Sequence, residues 1–371
     1  DPILPSVASM SQCLNPNCLY KNPKDTQFCQ RCGSQLKLRL RYRAIRILGQ
    51  GGFGRTFLAL DEDKPKNQTC VIKQFFPQAQ GTNTIKKAAE LFQREAEQLD
   101  ELGNHPQIPE LLAYFTEGSY QYLVQEYIDG QDLDKVLTTQ GKFHTKQIRD
   151  VLQQILPILQ YLHERNVIHR DIKPDNIIRR GDGKLMLVDF GAAKQVASAA
   201  FSVTGTTIGS AGYASPEQAV GKAKPNSDIY SLGATCVRLL TQIEQSDLYD
   251  AIIDEAWRDF LDTPIEKQLG EILDNMLVVA VKKRYQSAGE VLRDLQPAKA
   301  PSSSPPQPTQ KSPSPSSSTA ASSQKPPQPK PKSPSPSPST AKSGSQVELR
   351  SAVGYDYTRL RDLLAKQKWK E

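Results

Sequence analysis

Hydrophobic positions across residues 42–296 change period several times. Residues 45–48 and 56–60 are apolar runs of strand length on either side of a glycine cluster. In Thr69-Cys-Val-Ile-Lys-Gln-Phe75 the two-residue repeat of a strand puts Val71 and Lys73 on one face. The period then lengthens. Ala88, Leu91, Phe92, Leu99 and Leu102 form the stripe of an amphipathic helix, with Glu95 inside it, and residues 229–240 predict a second, largely apolar helix. Mixed strand and helix patterning with ordinary turn punctuation predicts a compact α+β domain over residues 43–296.

Three flanking segments differ. Four of the six cysteines fall within residues 11–36, the mark of a small separate module. Residues 297–346 hold fourteen of the 27 prolines, with Ser, Lys and Gln and almost no large apolar residue. Such a stretch buries no core and predicts an extended, disordered linker. In residues 347–371, Tyr357, Leu360, Leu363 and Leu364 share one helical face, predicting an amphipathic helix that could open a further domain.

Charge and hydropathy narrow the class. The formal charge is +7, but residues 1–296 carry 35 basic and 36 acidic side chains, so the excess belongs to the tail. A nucleic-acid groove would need that excess on the folded part, so none is expected. No apolar run approaches the roughly 20 residues of a membrane span. Residues 1–9 lack the charged head and apolar stretch of a secretory signal, which favours a cytoplasmic protein with reduced thiols. Met10 directly precedes the first patterned segment and reads as the true start.

The chemistry is ordered along the chain. In Leu48-Gly-Gln-Gly-Gly-Phe-Gly54 the glycines let a hairpin lie close over phosphates, although the same spacing also serves plain tight turns. Lys73 offers an ammonium beside the apolar surface of Val71. A carboxylate on a buried helical face needs a cation, so a Lys73–Glu95 pair is the economical inference over a snorkelling surface glutamate. The decisive stretch is Val167-Ile-His-Arg-Asp-Ile-Lys-Pro-Asp-Asn-Ile-Ile178, followed by Asp189-Phe-Gly191. Asp171 and Lys173 give a proton acceptor and a phosphate clamp, while Asn176 and Asp189 offer oxygen ligands to hard Mg²⁺. Phosphoryl transfer is mostly positioning and charge neutralisation, and these groups meet that need.

With these motifs the chain resembles the eukaryotic-like bacterial serine/threonine protein kinases over residues 43–296. The resemblance implies a two-lobed fold, with a small antiparallel-sheet N-lobe and a mainly helical C-lobe, acting on ATP, Mg²⁺ and protein substrates. It implies that Gly49, Gln50, Gly51, Gly52, Phe53 and Gly54 cover the phosphates, that Lys73 pairs with Glu95, and that Val71 lies against adenine where the family usually has Ala. Glu126 and Ile128 become the hinge backbone behind a Gln125 gatekeeper. Asp171 becomes the catalytic base, Lys173 the γ-phosphate contact, and Asn176 and Asp189 the Mg²⁺ ligands. Glu217 would pair with Arg284, and Asp228 would brace the catalytic loop from below. Thr56 and Ser210 depart from the usual Val and Thr without losing a plausible role. Lys173 favours Ser/Thr acceptors over Tyr. Thr204 and Thr206 become activation-loop phosphosites facing Arg170, with Lys194 able to join, and autophosphorylation would pass through a homodimer.

The cysteine module, Cys13-x4-Cys18-x10-Cys29-x2-Cys32, supplies two thiolate pairs that fit a tetrahedral Zn²⁺ site or a redox disulfide pair, with zinc favoured. A four-cysteine, zinc-ribbon-like segment fused to a kinase resembles a group from photosynthetic bacteria, which implies a regulatory ribbon without catalytic groups. Residues 352–371 resemble the opening helix of the genomes-uncoupled tetrapyrrole-binding domain, and no ligand is carried over. Two rival functions remain at this point, a catalytically silent kinase-like scaffold and a metal or redox sensor with the kinase as output. Lys73, Asp171, Asn176 and Asp189, all kept, speak against the scaffold.

Overall fold

The computed structural model describes residues 10–51, 54–76, 82–190 and 212–296, which lie in one compact unit of the chain. The linker, the C-terminal helix, Thr204, Thr206, Ser210, Lys194, Gly52, Phe53 and Gly191 lie outside the described residues.

The N-terminal ribbon contributes β1 (Met10–Gln12) and β2 (Lys21–Pro23), an antiparallel pair. The next six strands are β3 (Lys37–Leu38), β4 (Tyr42–Gly51), β5 (Gly54–Asp61), β6 (Gln68–Phe75), β7 (Leu111–Glu117) and β8 (Tyr120–Glu126). They form one antiparallel sheet in the order β3-β4-β5-β6-β8-β7. Ahead of the apolar run 45–48, Lys37 and Leu38 add an edge strand to β4 through the pairs Lys37↔Arg43 and Leu38↔Tyr42. Helix α1 (Thr82–Leu102) is the predicted amphipathic helix, and Ala88, Phe92, Leu99 and Leu102 are buried as its stripe requires. Phe92 packs on Phe75 of β6 with ring centroids 5.4 Å apart.

A three-stranded sheet in the order β11-β10-β9 follows, from β9 (Gly130–Asp132), β10 (Ile177–Arg180) and β11 (Leu185–Leu187). Among the described residues the other α-helices are α2 (Leu133–Gln140), α3 (Thr145–Glu164), α4 (Pro216–Ala219), α5 (Pro225–Thr241), α6 (Gln245–Ile253), α7 (Lys267–Leu277) and α8 (Ala288–Leu295). Asp132 caps α2 by accepting from the Lys135 amide, and Gly141 ends it at φ 82°. Helix α5 is buried from Asn226 to Thr241, which is why its sequence is apolar nearly all round.

The sheet is covered on both faces, and strand alternation sorts the two sets. Phe57, Ala59, Cys70, Ile72, Tyr122 and Val124 form an outer cluster with Tyr42, Ala44, Leu38 and the ribbon's Leu14. Val71, Lys73 and Leu123 take the other face. Large aliphatic and aromatic residues of α1, α3, α5 and α7 build the main core of the chain.

A buried ion pair ties α4 to the segment before α8. Arg284 has no exposed side-chain surface and donates to Glu217 Oε1 and Oε2 at 2.7 and 3.2 Å, while its guanidinium lies 5.0 Å over the Tyr230 ring. Ser227 Oγ donates to the same carboxylate at 2.6 Å. Burial pushes the Glu217 pKa up, yet Arg284 and Ser227 together hold it below the ordinary glutamate value. A folded-state value below the unfolded one means that this stabilisation is complete above the unfolded pKa and is lost as pH falls through the folded one. Glu217→Ala should therefore cost about 3–5 kcal/mol, because it strands a buried guanidinium. Denaturant unfolding measures that loss at neutral pH, and Glu217→Gln should flatten the acid limb of the stability curve.

Candidate active site

The site is assembled where strand ends, one helix and two loops converge. Hairpin β4–β5 carries Gly49, Gln50, Gly51 and Gly54, with Gly51 opposite Gly54 and Gln50 opposite Arg55. A Cβ on Gly54 would lie 2.0 Å from the Gln74 carbonyl oxygen, so no larger residue fits there. Thr56 pairs with Lys73 on the adjacent strand β6.

Lys73 is the electrostatic centre. Its Nζ lies 2.6 Å from Glu95 Oε1 on α1 and 2.7 Å from Asp189 Oδ1 beyond β11. Burial opposes the Lys73 charge, but Asp189 and Glu95 raise its pKa above the ordinary lysine value. The Lys73–Glu95 pair expected from the helical stripe is thus present, with Asp189 as an additional partner.

The loop from His169 to Asp171 hangs from one aspartate. Asp228 in α5 is fully buried; its Oδ2 accepts from the His169 amide and from His163 Nε2, both at 2.9 Å, and its Oδ1 accepts from the Arg170 amide at 2.8 Å. Just past those amides the backbone of Arg170 turns left-handed at φ 66°. Such a conformation costs on the order of 1–3 kcal/mol and persists only where its surroundings enforce it. Gln218 Nε2 donates to the Arg170 carbonyl at 2.8 Å as a further brace. Burial pushes the His169 pKa down, and its neutral ring donates from Nε2 to the Val188 carbonyl at 3.1 Å. Phe190 rests against that ring with centroids 4.8 Å apart.

Asp171 is buried, and Asn176 Nδ2 donates to its Oδ2 and to its carbonyl oxygen, both at 2.7 Å. This fixes the Asn176 amide, whose oxygen is the atom a hard cation would take. Lys173 Nζ stands 3.3 Å from Asp175. Asp189 takes left-handed backbone at φ 59° and keeps its carboxylate partly exposed. Glu126 ends β8, where its amide donates to the Glu110 carbonyl at 2.9 Å.

Ile128 enters a small apolar cluster with Ile178, Met186 and Val188, which the sequence reading passed over as cleft residues. The signal was present: in β11 and the next residue, Leu185 and Leu187 face the main core, while Met186 and Val188 face Ile128. Two further residues were missed. Arg55 and Gln74, to which the sequence analysis gave no role, are both buried polar groups on the ribbon side of the sheet.

The four cysteines converge. Their Sγ atoms all lie within 4.8 Å of one another, with Cys13–Cys32 and Cys18–Cys29 each at 3.7 Å. A tetrahedral Zn²⁺ with Zn–S of roughly 2.3 Å separates its sulfurs by roughly 3.8 Å, whereas a disulfide closes them to about 2.05 Å. Burial works against a thiolate at Cys29, but amides of Arg31 and Cys32 and the Asn22 side chain bring its pKa down to about 6. Burial pushes the Cys13 and Cys18 thiols up, so it is the sulfur geometry that suits a thiolate-bound cation.

A profile described as protein kinase domain matches residues 42–294. The chain belongs to the protein kinase family. Serine/threonine-protein kinase B of Synechocystis sp. is 42% identical over 299 residues, covering 77% of this chain and 52% of that protein. PknA of Nostoc sp., also a serine/threonine-protein kinase, is 40% identical over 265 residues, covering 69% of this chain and 47% of its own. The chain spans about half the length of the curated relatives it matches. A solved structure described as the PpkA-294 apo form aligns with a TM-score of 0.57 at 23% identity, covering 69% of this chain and 96% of its own, and shares the two-lobed kinase fold. Family membership implies ATP and Mg²⁺ as ligands of the cleft. Among the described residues no helix is long and apolar enough to cross a membrane.

Asp228→Asn tests the catalytic-loop latch. Asp228 receives three donors on two oxygens, and an amide retains one acceptor oxygen and turns an NH₂ toward a former donor. The loss should be about 1.5–3 kcal/mol, with hydrogen exchange at the His169 and Arg170 amides roughly ten- to a hundredfold faster.

Proposed function

We propose that the protein is a serine/threonine kinase that moves the γ-phosphate of ATP onto Ser and Thr hydroxyls of proteins. The observation that carries the reading is the convergence of Lys73, Glu95 and Asp189 within 2.7 Å contacts, beside an Asp171 that Asn176 holds. Asp171 orients the acceptor hydroxyl and takes its proton as the oxygen bonds to γ-phosphorus and the bond to the ADP oxygen breaks. Lys173 steadies the γ-phosphate and Lys73 the phosphates behind it, under a hairpin bearing Gly49, Gln50, Gly51, Gly52, Phe53 and Gly54. The Glu126 and Ile128 backbone serves the adenine edge, and Val71 with the Ile178–Met186–Val188 cluster encloses its faces. Asn176 and Asp189 would hold Mg²⁺, which would supply charge neutralisation there. Asp171→Asn and Lys73→Met should each lower transfer to a generic basic protein by about two to four orders of magnitude. Circular dichroism should show both variants folded, and undiminished transfer by either would sink the mechanism.

The sulfur geometry supports one structural Zn²⁺ on Cys13, Cys18, Cys29 and Cys32. Freshly reduced protein should carry one zinc per chain by metal analysis. Cys29→Ser should release it while transfer persists at saturating ATP.

Activation by phosphorylation at Thr204 and Thr206 fits the charge behind the catalytic loop. Burial and the Arg94 charge push the Arg170 pKa down while Asp228 pushes it up, and a loop phosphate would add anionic charge next to the residue that precedes Asp171. Mass spectrometry should find loop phosphate on the active enzyme and none on Asp171→Asn. A full-rate Thr204→Ala, Thr206→Ala protein would place the switch elsewhere.

A further inference from the structure

The ribbon is fastened to the outer face of the sheet at the strands that carry the phosphate hairpin and Lys73. Gln74 Nε2 donates to the Leu14 carbonyl at 2.8 Å and also reaches the Tyr122 hydroxyl at 3.1 Å. Arg55 Nη1 donates to the Pro16 carbonyl at 3.3 Å. Both side chains are buried, at 1% and 8% exposure, and they are cross-strand neighbours in the register of β5 and β6. Alternation explains the arrangement: Thr56 and Lys73 face the cleft, so Arg55 and Gln74 must face the ribbon.

Arg55 also reaches the hairpin. Its Nε donates to Gln50 Oε1 at 3.0 Å, and its guanidinium lies 5.4 Å from the Phe76 ring centroid. Gln50 stands between Gly49 and Gly51. One guanidinium therefore joins a ribbon carbonyl to the side chain that anchors the glycine-rich loop.

The ribbon end of this path is a four-residue segment between two metal-site cysteines. Residues 14–17 are tethered by Cys13 and Cys18 and folded back on themselves: the Cys18 amide donates to the Asn15 carbonyl at 2.9 Å and the Asn17 amide to Asn15 Oδ1 at 3.0 Å. Asn15 Nδ2 donates to Ser34 Oγ at 3.2 Å, beside Cys32. The positions of the Leu14 and Pro16 carbonyls thus depend on where Cys13 and Cys18 are held.

We infer that Arg55 and Gln74 are positioning residues through which metal bound by the four cysteines sets the nucleotide affinity of the cleft. This rests on the kinase and zinc readings. With the metal bound, both ends of residues 14–17 are fixed and the two carbonyls stay under Gln74 and Arg55. Without it, the buried guanidinium and amide lose their ribbon acceptors, keeping only Gln50 Oε1 and the Tyr122 hydroxyl, and Gln50 loses a rigid anchor. Linkage is reciprocal, so nucleotide must tighten metal binding by the factor by which metal tightens nucleotide binding.

The test uses the full chain under reducing conditions, with MgADP affinity from calorimetry and zinc affinity from competition with a chromogenic chelator. Zinc-stripped protein should bind MgADP at least about fivefold more weakly than loaded protein, the lower range of measured couplings. MgADP should raise zinc affinity by the same factor. Arg55→Met, Gln74→Met should retain zinc, bind MgADP like the stripped protein, and show no reciprocal effect. Arg43→Met removes an anchor remote from the hairpin, where Nη1 donates to Ser11 Oγ and the Thr26 carbonyl. It should lower the melting temperature and keep the linkage.

Protein that binds MgADP but no zinc overturns the zinc reading and this inference with it. Zinc-loaded and folded stripped proteins with equal MgADP affinity overturn the inference alone. Should the stripped protein unfold, the loaded double variant decides: wild-type MgADP affinity in it overturns the assignment, as does loss of linkage in Arg43→Met.

Discussion

One buried ammonium organises the catalytic half of this molecule. Lys73 sits on a strand whose cleft face is shielded from water, and an unpaired charge there would cost several kcal/mol or neutralise. Glu95 from α1 and Asp189 from beyond β11 supply the two carboxylates that let it stay charged. Each partner has its own support. Phe92 on Phe75 sets the helix against the strand that carries Lys73, and Phe190 on His169 anchors the residue after Asp189. Strand, helix and loop are therefore held together by a charge balance as well as by apolar packing.

Asp228 solves the opposite problem. It is a buried carboxylate that, among the described residues, two main-chain amides and an imidazole satisfy. Those amides belong to His169 and Arg170, so the acid in α5 pins the loop while stabilising the left-handed turn that the chain must make before Asp171. The imidazole of His169 then carries the constraint to Phe190 and hence to Asp189. Asp171 lies between the two charge nodes, its carboxylate further held by Asn176. The base role proposed for Asp171 requires one geometry toward an acceptor hydroxyl, which such two-sided restraint favours.

Much of this was legible along the chain because the determinants are local. Two-residue alternation placed Val71 beside Lys73, helical spacing placed Glu95 among buried neighbours, and the motif around Asp171 offered candidate groups in chain order. The docking of the ribbon was not read, for a physical reason. Arg55 and Gln74 look like solvated strand residues, and only the residues that cover a sheet decide whether its polar positions lie in water. A partial clue existed in Phe57-Leu-Ala-Leu60 and Val71-Ile72, where consecutive apolar residues mean burial on both faces. Such a run says that something covers the outer face without saying what. The cysteine pairing by spacing predicted a compact site, and the sulfurs do converge, but nothing in the spacing tells which carbonyls between the cysteines will meet the sheet.

The two-residue repeat also explains why a ribbon without catalytic groups can matter to a cleft it never enters. A strand that turns Lys73 inward must turn Gln74 outward, and its partner that turns Thr56 inward must turn Arg55 outward. Left in water, those two side chains would hydrogen-bond freely and report nothing about the cleft. Buried as they are, each needs a protein acceptor, and the Leu14 and Pro16 carbonyls provide one apiece. The backbone pair Arg55↔Gln74 adjoins the pair Thr56↔Lys73 in an antiparallel ladder, so displacement of one pair shifts the other. The two faces of this sheet are thus mechanically one object, and the placement of four sulfurs on one side bears directly on the placement of an ammonium on the other.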